Sequence, residues 1–356
     1  MAPVMSQRDR VIELCKEHLA PVRAYFDDPM VTEIMINAWD TIFIERAGQM
    51  QRIAGEIAPS VLDHVIPMLA SINHRDNAEN IKVLDAEMPG LRIAAAREGV
   101  ALNGPCMSIR RHSVNTYRLQ EYSDAGLFDK QVKVNRPQIH RPDPSLVAQG
   151  GQHLVDLLRW MVSSRANFAV SGATSSGKTT FLNAILAELA EIDPDRRLFT
   201  IEDTRELKVP AKNYVSFLAQ KSGGGQSDVI DSRALGRLAL RMRPDSILHG
   251  EVRGPEAYDL MDAYRTGHPG SGVSFHADSA RLAPFRLETM VRMSAEGLAL
   301  PIAELRRRIA ETFQFFIHCE KVSGKRMPVE ILEMKGVDEK DNYVMETVFT
   351  KERVFE

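Results

Sequence analysis

Between Ser171 and Thr180 the chain reads SGATSSGKTT, with Gly172 and Gly177 separated by four residues and followed at once by Lys178 and Thr179. That spacing suits a loop that wraps a row of phosphate oxygens. Glycine lets backbone approach closely, and successive N–H groups at a helix N-terminus supply partial positive charge. Gly172, Ala173, Thr174, Ser175, Ser176, Gly177, Lys178, Thr179 and Thr180 are therefore the expected binding residues for a nucleoside triphosphate. Lys178 is directed at the β- and γ-phosphates and the Thr179 hydroxyl at Mg²⁺. A glycine-rich turn can match such a string, so its surroundings decide. NFAVS before it has the makeup of a short buried strand. Phe181, Leu182, Ile185, Leu186 and Leu189 after it fall on one face of a helix. Strand, loop and helix come in the order that ATP binding needs.

Titratable groups follow the other apolar runs. LFTI is followed by Glu202-Asp203-Thr204-Arg205-Glu206, SILHG by Glu251 and GVSF by His276. In open α/β sheets, ligands sit beyond the carboxyl ends of the strands. Glu251 is the expected catalytic carboxylate, because phosphoryl transfer to water needs a group that orients or deprotonates the nucleophile. Glu202 and Glu206 are open to two roles, holding the metal through water or sharing the positioning of the attacking water. The expected metal set is Thr179, Glu251 and Glu202. Asp203 reads as structural or as a helix cap. His268 and His276 lie in TGHPGSGVSFHA. A histidine there can donate to a γ-phosphate or serve only the fold. Neither has a cysteine or acidic partner at zinc-ligand spacing.

These groups must be positioned by a sheet. After residue 145, short apolar runs alternate with helical stretches, the signature of parallel strands with crossover helices. The runs are 168–171, 198–201, 246–250 and 273–275, with further strands at 315–319 and 329–333. Before it, KVNRPQIHRPDPS carries Pro137, Pro142 and Pro144 and reads as a linker. Earlier still, residues 7–19 have helical spacing, VTEIMIN and TIFIER read as a hairpin, 59–74 as a helix and 91–111 as short strands. The expected organisation is an α+β N-terminal domain over 1–130, a linker over 131–145 and an α/β domain over 146–356.

The chain has 356 residues, 44% hydrophobic and 26% charged, an ordinary globular composition long enough to bury a core. Cys15, Cys106 and Cys319 form no paired spacing, which suits a reducing compartment. Arg8, Asp9 and Arg10 stand where a signal peptide would need an apolar run, and no stretch approaches the length of a spanning helix. The expectation is a cytoplasmic protein that meets a membrane only peripherally. Net charge of −3 and 6% aromatics argue against a nucleic-acid track. KSGGGQSD reads as a flexible surface loop, and Arg306-Arg307-Arg308 as a solvated helix face.

GATSSGKTT, IEDTREL, RPDSILHGEVRGPEA and TGHPGSGVSFHA, in that order, resemble the phosphate loop, aspartate box, atypical Walker B box and histidine box of the secretion (traffic) ATPase superfamily. VTEIMIN…TIFIERAG resembles that family's N-terminal domain. The likeness is to the type IV secretion and conjugative-transfer branch, since the chain is short and lacks a tetracysteine module. The resemblance implies a RecA-like P-loop ATPase domain with a parallel-rich sheet, preceded by a smaller PAS-like domain. It also implies ATP and Mg²⁺ as ligands, a homo-hexameric ring and inner-membrane secretion-system components as partners. It places arginines of the N-terminal domain on the γ-phosphate. The matching positions are Arg92 and Arg110, with Arg97 and Arg111 as neighbours and Arg253 as a further contact. The rival readings are a motor for type IV pili or type II secretion, a nucleic-acid translocase with the same core, and a non-catalytic nucleotide-binding scaffold.

Overall fold

A computed structural model describes residues 6–75, 78–112, 118–132, 134, 136–220 and 229–354. KSGGGQSD, residues 221–228, lies outside the described residues. The chain divides into two compact units, 1–98 with 103–137, and 99–102 with 138–356.

In the first unit, α1 (Gln7–His18) starts at a capping box, Ser6 Oγ accepting from the Asp9 N–H and Asp9 answering to the Ser6 N–H. The strands are β1 (Val31–Ala38), β2 (Thr41–Arg46) and β3 (Gln49–Ile53), then β4 (Val83–Met88), β5 (Leu91–Ala96) and β6 (Cys106–Arg111), with α2 (Pro59–Ile72) between the two groups and α3 (Leu119–Asp124) after them. They form an antiparallel sheet in the order β3-β2-β1-β6-β5-β4. Its core unites Ile12 and Cys15 of α1, Leu62, Val65 and Leu69 of α2, and Ile34, Ile93 and Ile109 of the sheet. Strand alternation then puts Arg92 and Arg110 on the other face. The expected hairpin, helices and later strands are present. The weakly patterned β3 and β4 are additions.

The second unit holds α4 (Pro144–Val147), α5 (Gln152–Ser163), β7 (Phe168–Ser171), α6 (Lys178–Ile192), β8 (Leu198–Glu202), β9 (Tyr214–Leu218), α7 (Ser232–Leu240), β10 (Ser246–His249), α8 (Glu256–Arg265), β11 (Gly272–Phe275), α9 (Ala283–Val291), α10 (Ala295–Leu298), α11 (Ile302–Thr312), β12 (Phe315–Val322), β13 (Lys325–Val337) and β14 (Tyr343–Thr350). The sheet order is β14-β13-β12-β7-β11-β10-β8-β9, parallel from β12 to β9 and antiparallel across β12, β13 and β14. Phe168, Val170, Leu198, Leu248 and Ile317 pack with Leu182, Ile185, Leu186 and Leu189 of α6, the apolar face anticipated after the phosphate loop.

This is the RecA-like P-loop α/β fold behind a smaller α+β domain of PAS-like type. Register aligns the strand ends that matter: Ser171 lies beside Phe275, and His249 beside both Val273 and Ile201. One residue further along each strand come Gly172, His276, Gly250 and Glu202. Arg306 departs from the solvated-face expectation. It is largely buried on Glu288, Nε to Oε1 at 2.9 Å, with its guanidinium over Phe285 and Tyr343.

Candidate active site

The loop from β7 into α6 is shaped by two glycines. Gly172 has φ +153°, and a Cβ there would meet the Cys319 carbonyl oxygen and Ser176 Oγ, each at 2.4 Å. Gly177 has φ +102° and would meet Arg326 Cβ at 2.8 Å. Both positions exclude a side chain on backbone and space together. Lys178, the first residue of α6, is buried, and its Nζ donates to the carbonyls of Gly172 at 2.9 Å and Ala173 at 3.1 Å. Burial lowers its pKa, opposed chiefly by the charge of Glu251.

Around the loop lies a cleft of about 420 Å³ into which Lys178, Thr179, Glu202, Glu206, Glu251 and His276 all project. Two side chains flank Glu251. Arg253 Nη2 donates to its Oε2 at 2.6 Å, and His276 Nε2 stands 2.9 Å from its Oε1. Burial alone would raise the Glu251 carboxyl, but the Arg253 hydrogen bond and charge, with His276 and Lys178, bring it below its ordinary value. His276 Nδ1 lies 3.0 Å from the Gly172 carbonyl oxygen and 3.5 Å from Lys178 Nζ, so one ring touches the loop, the lysine and the carboxylate.

The other carboxylates divide the work. Thr179 donates its hydroxyl to Glu206 Oε2 at 2.9 Å. Glu202 Oε1 accepts from the backbone N–H groups of Glu206 and Leu207, both at 2.8 Å. Burial raises the Glu202 carboxyl, those two N–H groups opposing it. Gly250 makes room for it, since a Cβ there would press on Glu202 Cγ at 3.0 Å. Asp203 accepts from Ser232 Oγ at 3.3 Å, a structural contact. His268 is turned away from the cleft, its Nδ1 2.8 Å from the Ala263 carbonyl oxygen.

In the first unit, Arg92 and Arg110 stand directly opposite one another on β5 and β6. Each also meets an acid of its own sheet, Arg92 Nε lying 3.5 Å from Asp85 and Arg110 Nε 3.6 Å from Glu33. The neighbours are committed to the fold: Arg97 binds Asp63 and the Glu79 carbonyl, Arg111 the carbonyls of Phe26 and Val31. Sequence reasoning missed Arg326 in the cleft wall and His318, buried 2.9 Å from Ser171 Oγ behind the loop. Both come from the β12–β13 hairpin, where no local motif marks them.

Mg²⁺ fits the residues present. Ser176 Oγ is buried without a hydrogen-bond partner, and Thr179 and Glu206 offer hard oxygens beside the loop. Orphaned polar atoms of that kind are expected where a ligand completes them.

A parallel strand that ends in a glycine-shaped phosphate loop, with carboxylates closing the neighbouring strands, defines a P-loop nucleotide-binding protein. Residues 145–321 match the family described as "Type II/IV secretion system protein". The chain is 30% identical over 312 residues to the conjugal transfer protein TrbB of Rhizobium radiobacter, covering 87% of this chain and 85% of that one. It is 33% identical over 311 residues to the type IV secretion system protein VirB11 of Brucella suis, covering 85% and 84%. The crystal structure of the Brucella suis VirB11 ATPase in complex with sulphate superposes with a TM-score of 0.78 at 29% identity, over 92% of this chain and 96% of that one. The chain belongs to the type II/IV secretion system protein family, with type IV secretion and conjugal-transfer proteins among its relatives.

Proposed function

We propose that this chain hydrolyses ATP with Mg²⁺ and drives type IV secretion or conjugal transfer as a homo-hexameric motor on the cytoplasmic side of the inner membrane, engaging membrane-bound components of that machinery. The observation that carries the reading is the convergence of Lys178, Thr179, Glu206, Glu251 and His276 on one phosphate loop. The loop N–H groups and Lys178 hold the β- and γ-phosphates. Thr179 and Glu206 hold Mg²⁺, and when bound it neutralises charge on the transferred phosphoryl group. Glu251, kept ionised by Arg253, orients the attacking water and takes its proton. His276 couples the carboxylate to the loop. Glu202 is assigned to positioning rather than to the metal, because its Oε1 is committed to the backbone that presents Glu206. Among the described residues no helix is long and apolar enough to cross a membrane, which fits a peripheral position.

Purified protein tests this directly. ATP turnover that needs Mg²⁺ and is lost in Lys178→Ala is the expected result, with a shift toward a hexamer when an ATP analogue is added. Turnover unchanged in Lys178→Ala, or unaffected by chelation, would remove the enzyme reading. A monomer at all nucleotide concentrations would remove the ring.

A further inference from the structure

The hairpin joining β12 to β13 carries three cations, Lys321, Lys325 and Arg326, all exposed. Lys321 stands directly opposite Arg326 in the register. Like charges directly opposite across an antiparallel pair are destabilising. Among the described residues none of the three is ion-paired. Glu320, the acid nearest them in the hairpin, accepts instead from Arg353 at 2.7 Å. A tip built this way gains from an anion that neutralises it.

Arg326 is placed to meet one. It lines the same cleft as the phosphate loop. Its Cβ lies 2.8 Å from where a Cβ on Gly177 would stand, with its Cγ and Cδ at 3.6 Å, so its stem runs along the last glycine of the loop. The sheet order gives direction. From β7, the strands β11, β10 and β8 lead one way to His276, Glu251 and Glu202, while β12 and β13 lie on the other side. The γ-phosphate belongs on the carboxylate side. The nucleoside end of a triphosphate gripped by the loop therefore leaves toward the hairpin.

We propose that Arg326 is a nucleotide-binding residue whose guanidinium holds the phosphate nearest the nucleoside, opposite the end held by Lys178. The proposal rests on the ATPase reading above. A guanidinium presents a planar fork that matches two phosphate oxygens, which an ammonium cannot do. The contact serves binding in both the ATP and ADP states, so it acts on affinity rather than on the chemical step.

The test is the affinity of wild type, Arg326→Ala, Arg326→Lys and Lys178→Ala for fluorescent ADP and ATP analogues, with steady-state ATP kinetics for the two Arg326 variants. Arg326→Ala should weaken both nucleotides by roughly ten- to a hundredfold and raise KM for ATP, with kcat within about twofold. Arg326→Lys should recover part of the loss. Arg326 is exposed, so melting temperatures should match wild type. ADP affinity unchanged in Arg326→Ala, with binding lost in Lys178→Ala, would overturn the Arg326 role and leave the ATPase reading standing. A fall in kcat at unchanged affinity would also overturn it. Wild type that binds neither nucleotide would overturn both.

Discussion

At Glu251, burial and cations pull the carboxyl in opposite directions, and the cations win chiefly through Arg253. Removing Arg253 leaves burial less opposed, so the Glu251 pKa rises. In Arg253→Ala the acidic limb of the kcat/KM profile for ATP should therefore move to higher pH, because a higher pH is then needed to ionise the base. A limb that stays in place would show that another group sets it. Gly177 makes a second prediction. Its backbone is left-handed and Arg326 fills the space where a Cβ would go. Gly177→Ala should weaken ATP-analogue binding by at least roughly tenfold, at a strain of about 1–3 kcal/mol, measured by titration beside wild type. Lys178, Thr179, Glu206, Glu251 and His276 line one cleft, a placement legible in the sequence because each follows an apolar run or sits inside one string. Glu202 was legible as a cleft residue, but its grip on the Glu206 and Leu207 backbone was not, since that depends on how the next turn folds back.

Among elements, the strands read best where both faces are buried. β7, β8, β10 and β11 are short, mostly apolar and buried at every residue, and each is anticipated within a residue or so. β3 is half polar and lies at a sheet edge, and β14 is also an edge strand, largely exposed, so neither shows a buried run. β13 is expected only over 329–333, beginning just after Pro328. The strand runs through it, Pro328 pairing with Cys319 where the register shifts after His318. Proline is tolerated at such an irregularity. The proline-rich segment holds a latch that composition did not show. Arg141 forms two bonds to Glu333, at 3.0 and 2.6 Å, and its guanidinium lies 4.9 Å from the Trp160 ring. Burial raises the Glu333 carboxyl, but Arg141 and Lys335 outweigh it and hold it below its ordinary value. Such a group stabilises the fold fully above its unfolded pKa and loses that contribution as pH falls through the lower folded value. Arg141→Ala should cost about 2 kcal/mol at neutral pH, and the difference from wild type should shrink below the ordinary carboxylate range. Denaturant melts at pH 7 and pH 3 check this. An equal loss at both would assign the effect to Trp160 packing.

For the whole molecule, we carry forward the expectation from the family resemblance that Arg92 and Arg110 act on the γ-phosphate. The register that sets the two arginines directly opposite one another supports that role, since like charges so placed cost the sheet stability. Arg92→Ala and Arg110→Ala should each lower ATP turnover roughly 10-fold or more while ADP affinity stays near wild type. Full turnover in both would end that role. The account as a whole depends on Glu251 acting on a nucleotide held by the phosphate loop. Single-turnover phosphate release by Glu251→Gln, at saturating ATP and Mg²⁺, tests that most directly. The predicted result is analogue affinity like wild type with release slowed by roughly a hundredfold or more. Release at the wild-type rate would contradict it.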